Sequence, residues 1–374
     1  NKKAVDLMIR SSNSIIRDLI RHNVTFERDA NGELAFTREG AHSQPRILFY
    51  EDVTGKQITQ TLLSEAQTRD NIEICEYMTM VDLIAKDNIC GGVIIMDEKN
   101  NVYPVRSPYV VLACGGLGGL YKNSTNFPHI AGDGLGIAMK HQVVLEHLDY
   151  VQIHPTTFYT KHPEDRSFLI SESVRGEGAR LYDKNMNRFV NELLPRDLLS
   201  QKIHEQMAKD DTDFVWEDLR TIPAETLRHH FPNIVEHCRE MGYDVFKECI
   251  PVVPAQHYFM GGVKVDYQSR SSMENLYVVG EAACNGVHGK NRLASNSLLE
   301  SLVFARRAAQ DMAEHDLKNA SPQNASEIAD YLASHVDFTP YQDIQTLAET
   351  YHHLATQAIT LGQNPEGRKE FLYV

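Results

Sequence analysis

Two short segments constrain this chain more than any other feature. Tyr109-Val110-Val111-Leu112-Ala113 and Leu276-Tyr277-Val278-Val279 are apolar at successive positions, and each runs directly into glycine, at Cys114-Gly115-Gly116 and at Gly280-Glu281. Side chains alternate across a strand, so a strand apolar throughout is expected to be covered on both faces, as in a parallel sheet. Glycine at the carboxyl end lets backbone approach a ligand, and an acid there can accept hydrogen bonds from a sugar or ribityl hydroxyl. The pair predicts an α/β body that delivers backbone to a ligand.

Around these strands the pattern reads as one α/β domain with an insertion. An amphipathic helix carries Val5, Met8, Ile9, Ile16, Leu19 and Ile20 on one face, and a second helix is expected over Ile58–Arg69. Strands are expected at Ile72–Met78, Val81–Ala85, Gly92–Met96 and Val102–Val105, with hairpin chemistry at Asp87-Asn88 and at Lys99-Asn100-Asn101. From about Asp149 to Val253 charged residues and loops are denser, and the single tryptophan, Trp216, lies there. A helix over Ser297–Glu314 follows the second apolar strand, and the segment after Ser321-Pro322 reads as helical and polar. The chain opens at Asn1 straight into its first helix, and both ends are expected to be cut ends.

Length and charge remove whole classes. A chain of 374 residues suits two or three domains, and a net charge of −14 is wrong for neutralising phosphate, so general nucleic-acid binding is set aside. No apolar run approaches the roughly 18–20 residues of a membrane-spanning helix. The six cysteines are scattered without a CxxC, which reads as reduced thiols in a cytoplasmic protein, and His229-His230 and His352-His353 lack the spacing of metal ligands.

The chemistry-bearing residues lie in separate stretches. Gly132-Asp133-Gly134-Leu135-Gly136 mimics a dinucleotide fingerprint but follows a loop rather than a strand, so it is expected to start a helix. Gly286-Val287-His288-Gly289 leads through Asn291-Arg292 into a helix beginning at Ser297 and Leu298, where free backbone N–H groups favour negative charge, such as a reduced flavin ring. His154, Arg196, His257 and Arg292 each stand beside Pro or Gly or close to them, and two His with two Arg suit a small dianion. Glu172 and Arg175 are spaced i,i+3 and can pair on one helical face.

Taken together, His154-Pro155-Thr156, Arg175-Gly176-Glu177-Gly178-Ala179, Pro195-Arg196-Asp197, His257-Tyr258 with Gly261-Gly262, and Asn291-Arg292-Leu293-Ala294-Ser295-Asn296-Ser297-Leu298-Leu299 resemble the flavoprotein family of succinate dehydrogenase, fumarate reductase and L-aspartate oxidase. Thr37-Arg38-Glu39-Gly40-Ala41-His42-Ser43 and Val287-His288-Gly289 are most similar to the L-aspartate oxidase branch. The resemblance implies a Rossmann-like FAD-binding domain, residues 1–145 and 254–325, interrupted by an α+β capping domain, 146–253, with a C-terminal helical domain over 326–374. The first βαβ unit with its glycine fingerprint has no counterpart in this chain, and with it the adenosine and pyrophosphate half of the FAD site.

By that resemblance His154, His257 and Arg292 would hold the substrate's carboxylates, and Glu39 would pair with its ammonium. Arg196 would transfer a proton, linked to solvent through Glu172 and Arg175. A guanidinium has a pKa above about 12, so a plain carboxylate clamp is the other role open to Arg196. Glu281 would contact the ribityl chain, and the Ser297–Leu298 backbone the flavin ring. The implied reaction takes hydride from C2 of L-aspartate to flavin N5, giving iminoaspartate for quinolinate and NAD synthesis, with oxygen or fumarate as electron acceptor. Functional coupling to a quinolinate synthase follows from it, without nucleic acid or membrane. The alternatives are a fumarate reductase or succinate dehydrogenase flavoprotein subunit, which needs an iron–sulfur partner and a membrane anchor, and a non-catalytic paralogue. Because backbone at the first βαβ turn supplies much of a dinucleotide's affinity, this 374-residue chain is expected to purify colourless or to bind FAD only weakly. A yellow protein with stoichiometric FAD would contradict that expectation.

Overall fold

A computed structural model describes residues 1–39, 41–161, 166–318, 330, 334, 336–337, 339–341 and 343–363. Helix α1 (Lys2–Arg21) starts where the Asn1 side chain accepts from the backbone N–H of Lys3, and buries Ala4, Met8, Ile15 and Leu19. Helix α2 (Thr54–Gln67) follows after a loop. The expected strand at Ile72–Met78 does not form. That stretch is irregular, with Ile72, Ile74, Tyr77 and Met78 all exposed and Tyr77 at φ 59°. β-branched composition favours a strand only where a neighbouring strand takes its hydrogen bonds, and none lies against this segment among the described residues.

Strands β1 (Thr79–Lys86), β2 (Ile89–Met96) and β3 (Val102–Arg106) form an antiparallel sheet. Asp87 and Asn88 both take positive φ, 51° and 62°, at the β1–β2 turn, the geometry that matches strand twist. The two apolar segments then meet. Strand β4 (Val110–Leu112) precedes helix α3 (Asp133–Lys140), which begins after Gly132 at φ 83°. After the inserted region, β11 (Leu276–Val278) pairs with β4 in parallel, Tyr277 opposite Val111. Cover on both faces is not complete, for Val111 is 41 % exposed while Val110 and Leu112 are buried. A smaller sheet joins β5 (Leu145–Glu146), β10 (Gly262–Lys264) and β12 (Ala283–Cys284). Helix α8 (Asn296–Lys318) packs Val303 and Phe304 against α1.

The inserted region has its own sheet and core. Strands β6 (Val151–Phe158), β7 (Arg180–Tyr182), β8 (Val215–Asp218) and β9 (Ile250–Phe259) lie in the order β6-β9-β8-β7. Helices α4 (Glu172–Glu177), α5 (Arg196–Asp210), α6 (Ala224–His230) and α7 (Pro232–Glu240) accompany them. Ile170, Val174, Leu181, Leu199, Ile203 and Ile250 form the centre of that core. The β6–β9 register shifts between Gln152 and Ile153 and again between His154 and Thr157, where Pro155 has no N–H to give the ladder.

The last described helix, α9 (Ile344–Gln363), lies along α3. Ser321, Pro322 and the expected boundary near Ser326 fall outside the described residues. Gly136 lets the two helices touch: a Cβ there would stand 2.7 Å from Tyr351 Cβ and 2.8 Å from its Cα. Backbone cannot swing aside as a flexible side-chain end can, so Gly136→Ala should cost about 1–3 kcal/mol by overpacking. Thermal unfolding checks it, and an unchanged midpoint would show that α9 is free to shift.

Candidate active site

Four predicted residues from four stretches of chain come together where β6 and β9 meet the body. His154 is fully buried on β6, and its ring lies edge-on to His257 of β9, centroids 5.1 Å apart. His154 Nδ1 faces the Thr156 backbone oxygen at 2.9 Å, while Nε2 is buried without a hydrogen-bond partner. His257 Nδ1 is 2.7 Å from Thr125 Oγ1. Arg196 stands at the first position of α5, behind Pro195, whose fixed φ suits a helix start. Its Nε donates to Glu172 Oε2 at 2.6 Å and its Nη1 to Gln152 Oε1 at 2.8 Å. Arg292 is 5 % exposed, donates from Nη1 to Ser297 Oγ at 3.0 Å, and lies 4.5 Å from the centre of the Tyr258 ring.

The electrostatics follow from burial. Desolvation, reinforced by Arg196 and the neighbouring cations, holds His154 and His257 well below the ordinary histidine range, so both rings are neutral. Burial, then the repulsion of Arg196, brings Arg292 down to about 10. Glu172 would be raised by burial, yet Arg196 and Arg175 keep it below its usual value. Arg175, 1 % exposed, reaches Glu172 Oε1 at 3.5 Å, and donates to Thr156 Oγ1 and to the Glu192 backbone oxygen. The cleft therefore has cations, neutral imidazoles and one anion already engaged by two guanidiniums.

Glu39 lies at its rim. Its Oε2 accepts from Ser295 Oγ at 2.8 Å and its Oε1 from Ser173 Oγ at 3.3 Å, so one carboxylate bridges α4 and the loop before α8. The segment carrying it is held by buried His42, whose Nε2 is 3.1 Å from the Ala294 backbone oxygen. Gly176 allows this approach, since a Cβ there would meet Arg38 O at 2.5 Å. His288 is not part of the cluster; it lies edge-on to Tyr258 and 3.9 Å from Glu300.

Sequence reasoning missed Gln152, Thr125, Tyr258 and Glu217. Gln152 had a signal, for it precedes His154 by two in a strand. Thr125 had none, because it reaches His257 across 132 positions of sequence. Glu217 is fully buried on β8, and neither carboxylate oxygen has a hydrogen-bond partner.

The positions expected to contact a flavin have the chemistry to suit the ring end of an FAD. Gly116 stands against Glu281, where a Cβ would be 2.5 Å from Oε1. Glu281 Oε1 accepts from the Phe259 backbone N–H at 2.8 Å, and burial pushes this acid up to about 7. Ser297 and Leu298 occupy the first turn of α8, and Leu298 is 39 % exposed, leaving backbone donors and an apolar surface open beside Arg292. Among the described residues no group of acids, cysteines and histidines suits a metal ion.

A body of three small sheets carrying a separate four-stranded capping sheet, with buried cations where they meet, is the architecture of a substrate-capping flavoprotein. A family model for an FAD binding domain matches residues 1–298. L-aspartate oxidase of Clostridium perfringens is 48 % identical over 312 residues, covering 83 % of this chain and 71 % of its own length. The enzyme of the same name from Neisseria meningitidis is 38 % identical, covering 86 % and 66 %. Among solved structures, a quinol fumarate reductase variant from E. coli superimposes with a TM-score of 0.75 at 26 % identity, covering 99 % of this chain and 68 % of that one. The chain belongs to the FAD-binding flavoprotein family of succinate dehydrogenase and fumarate reductase, in its L-aspartate oxidase branch.

Glu217 offers a test of the buried electrostatics. Burial, opposed by Arg175 and reinforced by Glu192, raises it to about 7. An acid whose folded pKa exceeds its unfolded value stabilises fully at low pH and loses that contribution as pH rises through the folded value. Glu217→Gln should therefore gain melting temperature relative to the parent between pH 5 and about 7.5, then run parallel above it. A constant difference across that range would show that Glu217 is ordinary.

Proposed function

We propose that the cleft binds L-aspartate and that this chain carries the substrate half of an FAD-dependent L-aspartate oxidase, forming iminoaspartate with oxygen or fumarate as final acceptor. The observation that supports it best is Glu39, an anion hydrogen-bonded by two serines at the edge of a cationic cleft. A dicarboxylate without an amine gains nothing from that anion, whereas an α-ammonium pairs with it.

In this reading Arg292, His154 and His257 hold the two carboxylates. The unpartnered Nε2 of His154 and Nε of Arg292 are the buried polar atoms such a ligand would satisfy. Arg196, oriented by Glu172 and Gln152, faces the bound substrate, with Arg175 behind it as the next group along a proton route. The cap and body together exclude water, which strengthens each of these interactions. Glu281, Ser297 and Leu298 would hold the flavin, which when bound accepts the two electrons of the oxidation. The fold shared with quinol fumarate reductase supports fumarate as a second ligand of the same cleft. No described helix is long and apolar enough to cross a membrane. A cytoplasmic setting, and delivery of iminoaspartate to a quinolinate synthase for NAD formation, belong to this proposal.

The experiment is an assay of full-length holoenzyme on L-aspartate, succinate and fumarate without added partner proteins. The parent should oxidise L-aspartate and not succinate. Glu39→Gln should lose aspartate oxidation by about tenfold or more while keeping fumarate reduction. Equal loss of both activities would make Glu39 structural, and no change in either would make it a solvated loop acid.

A further inference from the structure

Arg196 and Arg292 are like charges buried near one another, and their spacing is held by Gln152, which touches both, together with the residues beside them. Asn291, directly before Arg292, donates from Nδ2 to Oδ1 of Asp197, directly after Arg196, at 2.7 Å. Asn291 Oδ1 accepts from Gln152 Nε2 at 2.9 Å, and the same Nε2 donates to the Arg292 backbone oxygen at 2.7 Å. Gln152 Oε1 accepts from Arg196 Nη1 at 2.8 Å. The path closes on itself: Arg196, Gln152, Asn291, Asp197 and back through one peptide bond.

The residue types match their places in this ring. Arg196 can only donate, so Gln152 turns its oxygen there and its NH₂ toward Asn291. Asn291 accepts from Gln152 and donates to Asp197, which an amide does with its two separate atoms; Asp197, ionised, only accepts. Gln152 is 3 % exposed, so the inner bonds are shielded, while the Asn291–Asp197 end is open to water. Gln152 and Asp197 come from β6 and α5, and Asn291 from the loop before α8, so the ring ties the capping region to the body.

We infer that Asp197, Asn291 and Gln152 form a clasp that sets the spacing of Arg196 and Arg292, and so the affinity of the cleft for a dicarboxylate. These are positioning residues and need not touch the substrate. The inference rests on the dicarboxylate reading of the cleft given above.

The test is a charge swap in full-length holoenzyme, read by calorimetric titration with fumarate alongside KM and kcat for L-aspartate. Asn291→Asp sets two carboxylates face to face and should weaken fumarate binding and raise KM by about tenfold, with kcat changed far less. Adding Asp197→Asn restores a donor opposite an acceptor, and the double variant should return to within about threefold of the parent. Asn291→Ala, which removes the clasp without adding charge, should give an intermediate loss of about three- to fivefold. Thermal unfolding of each variant separates a lost clasp from a lost fold. Parent-like binding by Asn291→Asp, or a double variant no better than the single one, would overturn the clasp. A parent that binds fumarate but leaves L-aspartate unoxidised would overturn the proposed function, while the titrations would still decide the clasp.

Discussion

The site depends on Glu172. This acid, 3 % exposed, lies between the guanidiniums of Arg196 and Arg175 and offsets the charge of both where they are buried. Breaking a buried pair by removing one partner leaves an uncompensated charge, which costs several kcal/mol (about 3–5). Such pairs add little net stability compared with an apolar core, so their presence here is best understood through the site. Arg196 is fixed in orientation by Glu172 from one side and Gln152 from the other, and that orientation governs what the cleft offers a ligand.

The fold supplies this arrangement through irregularity. Two register shifts in β6, with Pro155 at the second, re-aim Gln152 and His154 on a strand that otherwise pairs with β9. His257 then reaches His154 from β9, while α5 begins with Arg196 at the same place. The Glu39 segment and the loop before α8 approach from the body and meet α4 of the cap through Ser173 and Ser295. Cap and body thus share the cleft, and neither completes it alone. The neutral histidines follow from that closure, because removing water disfavours their charged forms among three arginines.

Much was legible in the sequence. Two apolar strands ending in glycine announced a parallel pair, and β4 and β11 are that pair. Glu172 and Arg175 were readable as an i,i+3 pair because helix geometry alone puts them on one face. His154, Arg196, His257 and Arg292 were readable as a set by type and setting. Ile72–Met78 misled, since strand composition says nothing of whether a partner strand will be present to pair with it. Val111 was expected to be covered because its strand is apolar throughout, yet hydropathy alone does not say what packs on each face of a strand that does have its partner.

By itself, the sequence determined the local structure and chemistry: helix periods, caps and turns such as Asp87-Asn88, and which residues carry charge. These depend on neighbours a few positions apart, and the chain cannot avoid them. Only the tertiary structure decided the partnerships across long separations: Gln152 with Arg292, Thr125 with His257, Glu39 with Ser295, Asn291 with Asp197. Each joins residues between 94 and 256 positions apart, and no local propensity encodes such a distance. It is set by how two packed cores close on one another and by the requirement that each buried polar group find a partner there.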